Sequence, residues 1–154
     1  MKYEFIIHFF LPLIWVIGFL IAPQSKKNSR IYSLMGAILY GYYTYLIIKD
    51  FLINGAEALK YNWGPFVSIN YQLGLDHLSA ILVGVNVFLL LILILHSWNE
   101  RMQHARIFYS MIFFISWSIN GMLVSQNLYS YYIFSELLVL VAFIFVSIFS
   151  KSSA

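Results

Sequence analysis

The 154 residues are 62% hydrophobic and 10% charged, with no cysteine and a formal net charge of +3. Soluble domains sit near ~45–50% apolar and ~25% charged, and one of this size buries only about 68–70% of its surface, so the composition excludes a soluble enzyme. It also excludes disulfides, thiolate metal sites and cysteine nucleophiles, and the few basic residues, confined to short loops, give a nucleic-acid surface no support.

A bilayer core of ~30 Å takes about 20 apolar residues of helix to cross. Five runs meet that length, so the expected fold is an all-α integral membrane protein with five transmembrane helices in a single membrane domain, residues 1–154. The first run, Phe5–Ala22, is interrupted only by His8 and Pro12. It is longer than the roughly 7–15 apolar residues of a signal peptide and reads as a retained span. Pro23–Arg30 (PQSKKNSR) reads as a polar loop. The second run, Ile31–Ile48, carries five tyrosines, and Lys49, Asp50, Asn54, Glu57 and Lys60 mark its exit.

An outer loop follows over residues 54–72. Gly64-Pro65 is a turn signal and Phe66–Tyr71 partly alternates, which fits a short hairpin or edge strand. The third run, Leu75–His96, opens at Asp76 and Ser79, both suited to capping a helix. Ser97–Arg106 (SWNERMQHAR) is a polar link into the fourth run, Ile107–Val124. The turn Ser125-Gln126-Asn127 leads into the fifth run, Leu128–Ser150.

The positive-inside rule sets the expected orientation. Lys26, Lys27, Arg30, Arg101, Arg106 and Lys151 fall on one side, against Lys2 and Lys60 on the other, with Lys49 at the edge. The N-terminus is therefore expected outside and the C-terminus inside. Trp63 and Trp98 lie near the expected interfaces, where aromatic belts form.

Glu136 is the residue that points to chemistry. It lies about 12 Å below the start of its span at 1.5 Å per residue. A carboxylate there costs about 2.5–3.5 kcal/mol or more unless it is paired, protonated or hydrated. Burial favours its neutral form and a nearby cation its charged form, so a cation that moves would make it load and release a proton. The plainer alternative is a Glu that only hydrogen-bonds a neighbouring helix. No other span holds a Lys or Arg at depth. Counting back through the tight turn, Trp117, Ser118 and Asn120 fall level with Glu136 and could hydrogen-bond it, but cannot neutralise it. The counter-charge is expected from another subunit.

Other candidates carry less. His8 reads as a satisfied buried histidine, with a proton relay as the alternative. His96 and His104 flank a loop and read as solvated. His77 beside Asp76 lacks the further ligands a metal needs. Tyr40, Tyr42, Tyr43 and Tyr45 read as packing. No phosphate loop, nucleophile triad or carboxylate pair is present.

Three segments carry a resemblance. Leu73-Gly74-Leu75-Asp76-His77-Leu78-Ser79 forms a glycine–aspartate–serine entry to the third helix. Ser97-Trp98 and Arg106-Ile107-Phe108-Tyr109 link the third and fourth helices. Phe134-Ser135-Glu136-Leu137 places a glutamate before an apolar residue in the fifth helix. In this order they resemble the antiporter-like membrane subunits of respiratory complex I, the family of NADH dehydrogenase subunits 2, 4 and 5 and the Mrp-type antiporters. Subunit 4 is the nearest match, and Ser135 stands where the family usually has Trp.

The resemblance implies that Glu136 is the family's helix-five glutamate, which works with a lysine on a broken seventh helix. Family members have about fourteen helices, so the chain is expected to be the N-terminal piece of a split subunit, with a companion chain carrying that lysine. The implied partners are this chain, other membrane-arm subunits and lipids, and no nucleic acid. The implied activity is proton translocation by an NADH:ubiquinone oxidoreductase. FMN, iron–sulfur clusters and quinone would sit elsewhere in the complex, with no cofactor or metal on this chain. The mitochondrial inner membrane is the expected location, with a bacterial plasma membrane as the alternative. The rival functions are a subunit of a Mrp-type antiporter or membrane-bound hydrogenase, and a non-catalytic accessory or assembly subunit.

Overall fold

The computed structural model describes residues 2–21, 25–55, 61–63, 71–99 and 104–150. In chain order these form helix α1 (Lys2–Ile21), helix α2 (Lys26–Asn54), strands β1 (Tyr61–Trp63) and β2 (Tyr71–Leu73), then helices α3 (His77–His96), α4 (Ala105–Val124) and α5 (Leu128–Ser150). A single 3-10 turn, Ser97–Asn99, follows α3. All five helices are long and apolar enough to cross a membrane. The chain is an all-α, multi-pass membrane protein.

Helix α2 departs from the sequence reading at both ends. Lys26–Arg30 are helical rather than loop. The helix starts there because Ser25 stays extended and its hydroxyl accepts the Asn28 N–H at 3.4 Å. Lys27 and Asn28 are exposed, and polar side chains at a helix end can reach headgroups or water, so they do not stop the helix. At the other end the helix runs through Lys49 and Asp50 to Asn54. Gly55, at φ 75°, closes it by returning its N–H to the Phe51 carbonyl at 2.9 Å. That left-handed turn suits glycine, which has no Cβ to clash. Pro23 and Gln24 of the expected loop lie outside the described residues, as do Arg101 and Lys151.

Helix α3 starts where its sequence signal placed it. The Asp76 carboxylate accepts the Ser79 N–H at 2.6 Å, and the Ser79 hydroxyl accepts the Asp76 N–H at 2.8 Å. This reciprocal capping box satisfies two backbone donors that a helix start otherwise leaves open. Upstream, β1 and β2 pair antiparallel, with Tyr61 opposite Leu73, Asn62 opposite Gln72 and Trp63 opposite Tyr71. A hairpin is expected in the outer loop with its strand at Phe66–Tyr71; the strands lie instead at Tyr61–Trp63 and Tyr71–Leu73 and share only Tyr71 with that stretch. The Gly64-Pro65 turn, the Phe66–Asn70 stretch, Glu57 and Lys60 lie outside the described residues.

Helix α4 packs against every other helix. The α1–α2 pair closes on Gly36, where the Trp15 ring occupies the space a Cβ would need and its Nε1 donates to the Tyr32 carbonyl at 2.8 Å. The α4–α5 hairpin closes on Gly121, against the Phe134 ring. Strand β2 is tied to this hairpin by the Gly74 N–H, which donates to the Val124 carbonyl at 2.8 Å, and by a bridge between Leu73 and Ser125.

The buried apolar residues form two clusters. One gathers Leu11, Phe19, Tyr40, Leu90, Tyr109 and Phe113 with their neighbours. The other gathers Phe5, Phe9, Ile47, Phe51, Val83 and Val124 with theirs. Large apolar side chains also cover the outside, among them Ile14, Leu52, Ile81, Phe88 and Phe143. Such a coat is costly in water and suits lipid or protein neighbours.

Candidate functional site

The register of α5 is set at its first turn, where the Asn127 side chain accepts the Ser130 N–H at 2.8 Å. Ser130 and Val141 are the buried residues of this helix. Phe134, on the same side, meets Trp117 at 5.4 Å and Phe9 at 5.7 Å between ring centres. Two residues further on, the chain has turned by about 200° at 3.6 residues per turn. Glu136 is accordingly exposed on the opposite face.

That face is uncovered. Half of the span formed by α4 is buried, but only 6% of the span formed by α5. The shallow groove around Glu136 is lined by Tyr132, Ile133, Leu137, Val139, Leu140 and Phe143, none of them basic. One turn back, the Tyr132 hydroxyl lies toward the Glu136 carboxylate. A single tyrosine hydroxyl supplies one donor to a group with about four acceptor sites. A carboxylate in an apolar setting with one neutral donor is poorly compensated, and a second polypeptide surface is the ordinary remedy.

Trp117, Ser118 and Asn120 are not brought to Glu136. Trp117 packs its ring on Phe9, Phe114 and Phe134. Ser118 donates back to the Phe114 carbonyl at 3.0 Å. Asn120 is fully buried, with neither amide atom bonded among the described residues. Counting residues across the hairpin matches depth, but helix rotation decides facing, and α5 turns Glu136 away from α4.

The histidines separate by burial. His96 and His104 are exposed. His77 sets its ring edge-on to Phe51 at 5.0 Å. His8 is buried, and its Nε2 bonds the Thr44 hydroxyl at 2.9 Å while Nδ1 has no partner among the described residues. The expected satisfied histidine is thus only half satisfied. Sequence reasoning also passed over Asn86 and Ser116, which join α3 to α4: the Asn86 amide donates to the Ser116 carbonyl at 3.0 Å. Their signal was a lone polar residue inside an apolar run, weaker to the eye than a charge.

Several known proteins are related to the chain in sequence. The chain is 31% identical over 92 residues to F(420)H(2) dehydrogenase subunit M of Methanosarcina mazei, covering 60% of the chain and 19% of that protein. It is 26% identical over 144 residues to NAD(P)H-quinone oxidoreductase chain 4 of a Synechococcus strain, covering 90% and 27%. It is 28% identical over 130 residues to an antiporter subunit of Staphylococcus epidermidis, covering 80% and 16%. The chain resembles the antiporter-like membrane subunits of respiratory complex I. It spans between 16% and 27% of the length of these three antiporter-like relatives. No protein-family model matches it.

Proposed function

We propose that residues 1–154 form the N-terminal helices of an antiporter-like subunit in the membrane arm of a proton-pumping NADH:ubiquinone oxidoreductase, with Glu136 as its proton-loading or charge-coupling group. The observation that carries this is a membrane-depth carboxylate on the least buried of the five described helices. The rest of the subunit would close over that face. A basic group there, the seventh-helix lysine of the family, would hold Glu136 ionised. Its withdrawal would leave the carboxylate in low dielectric and favour proton uptake from water, and its return would release the proton. This lysine lies outside residues 1–154, on a companion chain or in continuing sequence.

FMN, iron–sulfur clusters and ubiquinone belong to other subunits in this reading. The membrane is the mitochondrial inner membrane or a bacterial plasma membrane, with the N-terminus outside and the C-terminus inside. The similarity to an antiporter subunit favours a second reading, in which the same module serves a Mrp-type antiporter or a membrane-bound hydrogenase. Co-purification of NADH-oxidising subunits supports the first reading, and their absence supports the second.

The decisive variant is Glu136→Gln, which keeps shape and removes the charge. Lost or strongly reduced pumping in a normally assembled complex is the expected outcome. Unchanged pumping would make the chain a non-catalytic accessory or assembly subunit and Glu136 a packing residue.

A further inference from the structure

The two apolar clusters do not touch along the helices without interruption. Thr44, Asn86, Ser116 and Asn120 each fall in sequence between the residues of one cluster and those of the other, and His8 sits at the edge between them. All five are buried. Thr44, Asn86, Ser116 and Asn120 make a polar layer across α2, α3 and α4, and His8 of α1 bonds into it through Thr44.

Its hydrogen bonds can be followed atom by atom. The Thr44 hydroxyl donates its one hydrogen to the Tyr40 carbonyl at 2.8 Å. Its oxygen must therefore accept from His8, which places the ring hydrogen on Nε2. In the neutral ring Nδ1 is then a bare acceptor. It is buried without a partner among the described residues. The His8 ring stacks on the Tyr40 ring at 4.8 Å and 21°. The Tyr40 hydroxyl lies toward Ser116 and Asn120 but closes a hydrogen bond of ordinary geometry to neither. Ser116 is engaged elsewhere, with its hydroxyl 3.4 Å from the Asn86 carbonyl oxygen. Both amide atoms of Asn120 are free of protein partners among the described residues.

Four unsatisfied polar atoms thus lie on three mutually packed helices: one acceptor on His8, a hydroxyl on Tyr40, and a donor and an acceptor on Asn120. The great majority of buried polar groups are bonded, and each exception calls for a cause, an ordered water among them. The occupant must both donate and accept, and it must be small. Water meets each condition and commonly makes about three such bonds in protein interiors.

We propose that His8, Tyr40 and Asn120 hold a small cluster of ordered waters between α1, α2 and α4. This hydration site is separate from Glu136, which projects from the far side of α5, and it stands whether or not Glu136 carries protons. It brings a neutral imidazole with a fixed tautomer into contact with exchangeable protons inside the bilayer.

The test is a cryo-EM map of the intact membrane complex at a resolution that shows waters. The expected result is at least one water peak within hydrogen-bond distance of His8 Nδ1 and of Tyr40 or Asn120. Direct pairing among these three side chains, or occupation of the space by a side chain from outside residues 1–154, overturns the proposal. A second readout needs no map. With histidine 15N-labelled in the same complex, solid-state NMR should show magnetisation passing from water protons to the His8 ring. A ring that receives none, while exposed His96 and His104 do, also overturns it.

Discussion

At Asp76 one side chain decides where α3 begins. The Ser79 hydroxyl and the Ser79 backbone N–H both donate to its carboxylate, and together they hold the Asp76 carboxyl below the usual carboxylate range. Loss of such a cap costs about 0.5–2 kcal/mol, and Asp76 is exposed, which places Asp76→Ala near the lower end. The sign with pH follows from the direction of the shift. A carboxyl depressed in the folded state adds stability above its unfolded value of ~3.9 and loses it as pH falls through the lower folded value. Melting of the purified protein in detergent should therefore separate wild type from Asp76→Ala at neutral pH, and the two should converge in strong acid. A constant gap at every pH would remove the ionised cap from the account. Glu136 differs in kind: the polar group that faces it along its own helix is the Tyr132 hydroxyl. Tyr132→Phe should leave assembly intact and alter pumping far less than Glu136→Gln, read as proton flux per electron transferred. Equal losses would make the tyrosine part of the proton machinery.

Individual helices show what a sequence gives away and what it keeps. Hydropathy located all five helices, because each must satisfy its own backbone bonds in lipid and does so over about 20 apolar residues. It misjudged α2, which runs from Lys26 to Asn54, because a helix does not end where the hydrocarbon does. The Asp76 and Ser79 capping signal was legible because its partners are three residues apart. Glu136 was legible as an exception in an apolar run, and its depth followed from counting. Its facing did not, since Trp117, Ser118 and Asn120 share its level but sit on the other side of the α4–α5 contact. Likewise His8 could be seen, but the Thr44, Tyr40 and Asn120 groups around it come from helices far apart in sequence. The same contact offers a test at this scale. Phe134 fills the space beside Gly121 and is itself wedged by Trp117 and Phe9. Gly121→Val should push α5 away from α4 and cost about 1–3 kcal/mol, as overpacking does. Melting temperature and the yield of assembled complex report it, and a variant as stable as wild type would contradict the close approach.

At the scale of the molecule, the described residues form a five-helix bundle centred on α4, with α5 at its edge and one face of α5 uncovered among them. The absence of cysteine makes its orientation easy to test by single-cysteine labelling. Asn28, exposed in the first turn of α2, and Gln126, exposed in the α4–α5 turn, lie at opposite ends of the bundle. With the N-terminus outside, a membrane-impermeant maleimide added from outside should label Gln126→Cys and spare Asn28→Cys. The reverse pattern would invert the topology. The central claim concerns the bare face of α5, and the most direct measurement is a structure of the assembled complex that resolves the Glu136 side chain. The account predicts that protein from outside residues 1–154 covers this face and brings a lysine or arginine to the carboxylate, directly or through water. Lipid tails packed against Glu136, with no basic group connected to it, would contradict it.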